Sequence, residues 1–294
     1  MYIFRTLYQA GLSWSADRGS YLGAALAYYA LFSIAPLLII AIASIGLFVG
    51  EAEVKLKILG MAKENIGVEG AEAVMTLVDQ LWKPSTTLWA SILGPIILVA
   101  TASNFFLQLG TALEMIWNLK PLQHRHWFSA MVINYILSFI MVVVSGAFWL
   151  ILFLGDGILT YFLNIVEDTL PGGKRLWFWG HTGLYVVLVA GMLLFTFRFL
   201  SHGRIPYRYL LLGSVVASLL FFLGRLLFVF YLTQMGKSLA TAFGAASSIV
   251  IFLIWVYYSA QIIFYGAEVI KVQLISSRMP GSEMKPVTTT GQLS

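Results

Sequence analysis

The chain has 294 residues, of which 60% are hydrophobic and only 11% are charged, and its mean hydropathy is +0.86. Soluble domains contain about 45–50% apolar and about 25% charged residues, so this composition excludes an ordinary soluble domain. The absence of cysteine excludes disulfides, thiolate metal sites and cysteine nucleophiles. The net charge of +5 is attributed to basic residues that flank membrane spans and meet anionic lipid, rather than to nucleic-acid binding.

The first twenty residues are predicted to form an amphipathic helix. They lack the continuous apolar core of a cleavable signal peptide. Ile3, Leu7, Gly11 and Trp14 recur at helical spacing. We expect residues 1–20 to lie at the membrane interface, and a terminal helix buried against the bundle is the alternative.

Six mostly apolar runs are predicted to cross the membrane, because about 20 apolar residues span a bilayer as a helix and lipid offers no partner for unpaired backbone groups. They form one all-α transmembrane bundle over residues 21–275. Pro36 is expected to kink the first span, and Pro95 lies inside the second. The predicted spans are Tyr21–Val49, Leu88–Leu109, Trp127–Leu154, Gly180–Leu200, Tyr209–Leu232 and Ala242–Gly266.

The only long connection between predicted spans, residues 50–84, is expected to form a short extracytoplasmic helical cap. Its second part carries apolar residues at i, i+3, i+4 and i+7, and two glycines before it suggest a break between two short helices. The polar tail, residues 276–294, contains Pro280 and Pro286 and is predicted to be disordered.

The distribution of Lys and Arg predicts the orientation of the bundle. With six spans, both termini share a side, and ten Lys and Arg lie on that side against seven on the other. Basic residues are enriched in cytoplasmic loops. The sequence therefore predicts that both termini are cytoplasmic.

Small residues four positions apart suggest close contacts between helices, since they let helix backbones approach in lipid. Chance also produces such pairs in apolar helices, so they indicate a compact bundle rather than a particular partner. The pairs are Gly23 with Ala27, Gly213 with Ala217, Ser214 with Ser218, and Gly244 with Ser248.

Several segments resemble the YihY/BrkB family of membrane proteins, historically also called ribonuclease BN. The resemblance covers most of the chain, from about Asp17 to Lys271, and its first segment contains the run ALAYYALFS. The segments that carry it are Asp17–Pro36, Ala112–Trp117, Ile205–Arg208 with Gly213, Gly224–Tyr231, and Ile254–Ser259 followed by Gly266–Glu268.

This resemblance implies six spans, a bacterial inner-membrane location and cytoplasmic termini. Family names include a nuclease, a serum-resistance factor and a putative transporter, and the resemblance supplies no catalytic residue. Membrane lipids are the expected partners, together with a second copy of the chain or envelope proteins, and no nucleic acid or cofactor is expected.

Polar residues inside the predicted spans are candidates for a substrate path, because ionisable groups in the membrane are costly. Arg225 is the clearest, either as an anion-binding or gating cation, or as a side chain that snorkels to the interface or pairs with Asp156. By helical spacing it shares a face with two serines, and that face is expected to look into the bundle. The full predicted path comprises Arg225, Ser214, Ser218, Asn104, Gln108, Tyr257 and Gln261. For the stripes on the second and sixth spans, hydrogen bonding between helices is the alternative.

Charged residues at the inner ends of the spans form a second candidate site. A layer of paired charges there would act as an inner gate that opens when the pairs break. The alternative is that charges gather at an interface because water is present. The predicted layer comprises Asp17, Glu114, Glu268, Arg198, Arg204 and Arg208.

The inventory of side chains argues against a nuclease and against any catalytic or metal site. Metal-dependent hydrolysis needs clustered carboxylates or histidines, and His124 and His126 have no acidic neighbour in the sequence. Two functions remain. The chain either transports or handles an anionic or amphipathic substrate, such as a lipid or envelope component, or it is a non-catalytic scaffold for envelope integrity.

Overall fold

The computed structural model describes residues 2–33, 55–56, 59–60, 88–119, 132–148 and 173–278, and every regular element among them is helical. The predicted all-α class is confirmed. The main helices are α1 (Tyr2–Ala16), α2 (19–33), α3 (Leu88–Ile116), α4 (Val132–Phe148), α5 (Gly173–Leu200), α6 (Tyr207–Phe243) and α7 (Ser247–Arg278), with a short 3-10 turn (Gly244–Ala246) between α6 and α7.

Three stretches of the described chain are long and apolar enough to cross a bilayer, and Val132–Phe148 is a shorter apolar helix. They are Thr182–Leu200, Tyr207–Gly236 and Ser247–Ser277. The chain is therefore a polytopic transmembrane helical bundle, while the count of six spans stays a prediction. Pro36, most of the predicted cap and the tail after Arg278 lie outside the described residues.

The last two helices are longer than their apolar composition predicts. α7 continues beyond Gly266 because its further residues are buried: Val269 and Val272 pack against Ala10 of α1. It begins at Ser247 rather than at Ala242, since Gly244 adopts a φ of +53° and breaks the helix there. A left-handed φ suits glycine, which has no Cβ to clash.

α6 and α7 approach each other most closely at Gly213 and Gly266, which have no side chain to separate the two helices. A Cβ on Gly266 would lie 2.8 Å from the Cβ of Ala217 and 3.0 Å from the carbonyl oxygen of Gly213. Gly213 in turn faces the carbonyl oxygen of Gly266. The predicted contact at Gly213 and Ala217 is thus confirmed, whereas Gly244 meets no described atom within 4 Å and makes no such approach in that part of the chain.

α1 packs along α7 with one face and leaves the other open. The Tyr265 hydroxyl donates to the Leu7 carbonyl over 2.9 Å, and the Trp14 indole N–H donates to Gln261 Oε1 over 3.1 Å. On the opposite face Phe4 and Tyr8 are exposed. α1 therefore docks on the bundle, and its placement at a membrane interface stays a prediction.

The end of α3 packs against α5 and α7. The Trp117 indole N–H donates to the Ala267 carbonyl over 3.0 Å, and its ring meets Phe197 edge-on at 5.9 Å between centroids. Trp117 and Phe197 are both buried. These contacts bring α1, α3, α5 and α7 together around Glu268.

Candidate functional site

Three charged side chains meet where α1 and α2 join the end of α7, and they are called the charge centre below. Asp17 forms an ion pair with Lys271, and Glu268 Oε2 lies 3.5 Å from the same ammonium nitrogen. Glu268 is 0% exposed, whereas the Asp17 side chain keeps 32% of its surface. One buried ammonium is therefore shared by two carboxylates.

Local structure explains how the three groups meet. Glu268 and Lys271 are three residues apart on α7, so their side chains lie on one face of the helix. Asp17 lies in the turn that ends α1, where its N–H donates to the Ser13 carbonyl over 2.8 Å. Arg18 follows with a φ of +54° and turns the chain into α2. The contacts of α1 with α7 then hold this turn against Lys271.

Glu268 is the least satisfied member of the charge centre. Both of its carboxylate oxygens are buried, and neither has a hydrogen-bond partner among the described residues. A buried polar group without a partner typically costs about 1–3 kcal/mol, and a charged one costs more. Buried ion pairs are often no more stable than apolar replacements of the same size. Stability alone therefore gives no reason for a carboxylate at this position.

A second acidic group, Glu114 of α3, lies near His202 in the turn between α5 and α6. Its Oε1 is 3.6 Å from His202 Nδ1, and both side chains are about one-quarter exposed. The pair borders a cavity of about 70 Å³ that is also lined by Asn134 and Ser138 of α4. This volume suits a few water molecules and is far too small for a lipid.

The predicted arginines at this end have structural contacts. The Arg198 guanidinium donates to the carbonyls of Gly203 and Ile205 over 2.8 and 2.9 Å, and it lies 4.4 Å from the Tyr207 ring centroid. It thereby closes the turn between α5 and α6. Arg204 is exposed, and Arg208 is exposed and lies over the ring of Tyr209, 4.5 Å from its centroid. In the described part of the chain, Asp17 and Glu268 of the predicted layer meet at Lys271, Glu114 lies beside His202, and Arg198 binds backbone carbonyls.

The predicted path residues do not share one lining surface in the described chain. Ser214 and Ser218 are buried, but their hydroxyls donate to carbonyls of their own helix, at Leu210 and Val215. Arg225 is exposed among the described residues, and its guanidinium lies 5.2 Å from the Tyr185 ring centroid of α5. Its place in a path with the two serines stays a prediction.

The polar stripes on α3 and α7 are used largely for contacts between helices. Asn104 Oδ1 accepts from the Tyr135 hydroxyl of α4 at 3.5 Å, and Gln108 is half-buried. Gln261 accepts a hydrogen bond from the Trp14 indole of α1, while Tyr257 is partly exposed beside Gly23 of α2. These contacts favour the alternative interpretation, in which the stripes join helices.

Sequence reasoning missed two residues of this region, Lys271 and His202. Lys271 was counted only as a basic loop residue, although its spacing of three from Glu268 is a detectable helical signal. Nothing local in the sequence indicates that His202 meets Glu114, because the two are joined only by the fold. Within the described residues no group of three or more His, Cys, Asp or Glu is arranged to hold a metal ion.

A family profile described as Virulence factor BrkB matches residues 12–286, which is nearly the whole chain. The chain belongs to this family. The match confirms the resemblance seen in the segments from Asp17–Pro36 to Gly266–Glu268. The BrkB family name states no reaction.

Curated relatives carry the name UPF0761 membrane protein. One from Alcanivorax borkumensis is 25% identical over 86% of this chain and 56% of its own length. One from Psychromonas ingrahamii is 26% identical over 83% and 79%, and one from Coxiella burnetii is 26% identical over 92% and 91%. The chain thus spans little more than half of the Alcanivorax relative. No solved structure is significantly similar to the chain.

Proposed function

We propose that this BrkB-family chain is a non-enzymatic protein of the bacterial inner membrane, with both termini cytoplasmic, that transports or handles an anionic or amphipathic envelope substrate such as a lipid. One observation carries the proposal: Glu268 is fully buried, its oxygens accept no hydrogen bond from the described residues, and it shares the Lys271 ammonium with Asp17. Ionisable groups inside membrane helices are rare, and they mark substrate and ion pathways.

The charge centre supports a gate with two arrangements. In the observed one, Lys271 pairs with Asp17 and ties the start of α2 to α7. Glu268 lies 3.5 Å from the same ammonium, so a small side-chain movement would transfer Lys271 to it. That transfer would release Asp17 and loosen α2 from α7. A bistable contact of this kind is the physical basis of a switch.

The substrate class is proposed from charge. Arg225 is a cation in the interior of the apolar stretch Tyr207–Gly236, and it is exposed rather than buried. A cation on an apolar surface attracts a molecule that combines a negative group with an apolar body. The scaffold function uses neither this exposed arginine nor the buried glutamate.

The test uses a strain that lacks the protein and is complemented with the wild type or with Glu268→Gln. Gln273→Met is the matched control, because Gln273 is also buried on α7 but bonds its own helix at Val269. Membrane levels are equalised, and lipids in each leaflet and small anions in the cell are profiled. We expect Glu268→Gln to resemble the deletion and Gln273→Met to resemble the wild type.

Two outcomes would overturn the proposal. A wild-type distribution in Glu268→Gln would remove the charge centre from the function. A deletion strain whose lipid and anion distributions match the complemented strain would favour the scaffold instead.

A further inference from the structure

Arg225 lies on an outward surface of the bundle that is otherwise apolar. Its neighbours on α6 include Leu226, Leu227 and Phe230, which are 54%, 62% and 64% exposed. The adjacent side of α6 packs on α7, where the ring of Phe228 lies 4.7 Å from that of Trp255. Among the described residues Arg225 is therefore an exposed cation beside α5, at the edge of the packed surface of α6.

The position of Arg225 along α6 places it in the half of the bilayer opposite to Tyr207. α6 begins at Tyr207 and Arg208, an aromatic and a basic residue of the type that anchors a helix at one interface. At about 1.5 Å per residue, Arg225 lies about 27 Å further along the helix. The hydrocarbon core of a bilayer is about 30 Å thick. The apolar stretch continues from Arg225 to Gly236, so Arg225 lies in the half of the bilayer opposite to Tyr207, and its long side chain can extend towards the headgroups of that leaflet.

Tyr185 of α5 gives the guanidinium a defined position. The Arg225 Cζ lies 5.2 Å from the centre of the Tyr185 ring, a distance typical of a cation–π contact. Among the described residues no carboxylate lies within 4.0 Å of Arg225. The ring orients the planar guanidinium but supplies no negative charge. As far as the described residues go, several N–H donors are thus left to bind an anion.

We propose that Arg225, positioned on Tyr185, binds the phosphate of an anionic phospholipid in the leaflet opposite to Tyr207. The guanidinium matches phosphate because its N–H groups form two parallel charge-assisted hydrogen bonds. The exposed leucines and phenylalanine next to it would contact the acyl chains of the same lipid. This inference deepens the proposed function, on which it rests for the anionic substrate class, but the binding is measurable whether or not the charge centre acts as a gate.

The experiment measures lipid retention by the purified full-length chain. The protein is reconstituted into nanodiscs of phosphatidylcholine with a titrated fraction of phosphatidylglycerol, and retained lipids are counted by native mass spectrometry. We expect Arg225→Leu to weaken phosphatidylglycerol retention about tenfold, which corresponds to about 1.4 kcal/mol. Tyr185→Leu is expected to weaken it less, and Arg225→Lys is expected to keep part of it.

The controls separate this site from general attraction and from free phosphate. Arg5→Leu removes the same charge from an exposed position on α1 and is expected to leave retention unchanged. Millimolar inorganic phosphate is expected not to displace the lipid, since it lacks the apolar contacts. Equal losses in Arg5→Leu and Arg225→Leu, or displacement by phosphate, would overturn the proposal.

A further variant covers the predicted pairing with Asp156, which lies outside the described residues. If Arg225 instead pairs with Asp156, both Arg225→Leu and Asp156→Asn will lower the thermal stability while phosphatidylglycerol retention stays at the wild-type level. That pattern would contradict the lipid site. If Glu268→Gln behaves as the wild type while Arg225→Leu still weakens phosphatidylglycerol retention, only the gate is rejected and the lipid site at Arg225 is supported.

Discussion

The two halves of the α6–α7 pair differ in the burial of their charged side chains. Around Gly266 the helices touch backbone to backbone, and a buried ammonium is shared by two carboxylates. Further along, Gly224 still packs on Tyr258, but Gly236 and Gly244 have no described atom within 4 Å of an added Cβ, and the one charged side chain described on that half of the pair, Arg225, is exposed. The comparison indicates that the burial of a charged side chain, and not only its depth in the membrane, determines how strongly it affects the stability of the fold.

The largest expected effect is at the buried side of this comparison. Lys271→Met removes the cation from Glu268, which has no other partner among the described residues. Breaking a buried pair from one side typically costs about 3–5 kcal/mol, so we expect a loss of that order in the free energy of unfolding. The measurement is unfolding of the purified protein in detergent micelles.

The matched control for this prediction is the double variant Lys271→Met with Glu268→Gln. It removes the stranded carboxylate as well, and the partly exposed Asp17 is left to water. We expect the double variant to recover most of the lost stability. A double variant as unstable as the single one would show that Lys271 acts through packing and not through charge.

A smaller effect on stability is expected from adding one methyl group to a glycine in each half of the α6–α7 pair. Gly266→Ala places a Cβ 2.8 Å from Ala217 and 3.0 Å from a backbone oxygen, and overpacking of this kind costs about 1–3 kcal/mol. Gly236→Ala on α6 meets no described atom within 4 Å and gains helix propensity, at most about 1 kcal/mol. Thermal unfolding of the two variants under identical conditions gives the comparison.

Opposite signs for the two alanine variants would confirm that the two halves differ in packing. Similar losses of thermal stability in both variants would mean that α6 is packed as tightly near Gly236 as at the crossing near Gly266. The two halves would then not differ in packing.

The smallest effect on stability is expected at the exposed arginine. Arg225→Leu removes one cation–π contact, worth about 0.5–1 kcal/mol at an exposed site, and adds an apolar side chain to a lipid-facing surface. We expect the free energy of unfolding to change by less than about 1 kcal/mol, in contrast to Lys271→Met. A loss comparable to that of Lys271→Met would show that Arg225 is coupled to the fold.

The sequence predicts helices well where apolar runs have clear ends, as at Leu200, which ends α5 both in the prediction and in the structure. It fails where tertiary contacts extend a helix: α7 passes Gly266 because α1 covers Val269 and Val272, and no local signal marks that cover. The turn at Gly244 was likewise missed, because a single glycine in an apolar helix is ordinary in membrane proteins.

The candidate site could be predicted only in part. Asp17 and Glu268 were placed at one end of the bundle by topology, but the ammonium between them was not recognised because Lys271 was treated as a loop charge. Arg225 was assigned to the interior from its spacing with Ser214 and Ser218, and that assignment stays a prediction. Spacing of four and seven places residues only approximately on one face, and the side that meets α7 is chosen by small residues rather than by polar ones.

The central claim is that the chain keeps a buried carboxylate, which accepts no hydrogen bond from the described residues, for function and not for stability. The most direct test measures unfolding and substrate distribution on the same variant, Glu268→Gln, which keeps the size of the side chain. We predict a free energy of unfolding equal to or above that of the wild type, together with the lipid and anion distribution of the deletion strain. A variant that loses stability while it preserves the wild-type distribution would contradict the claim.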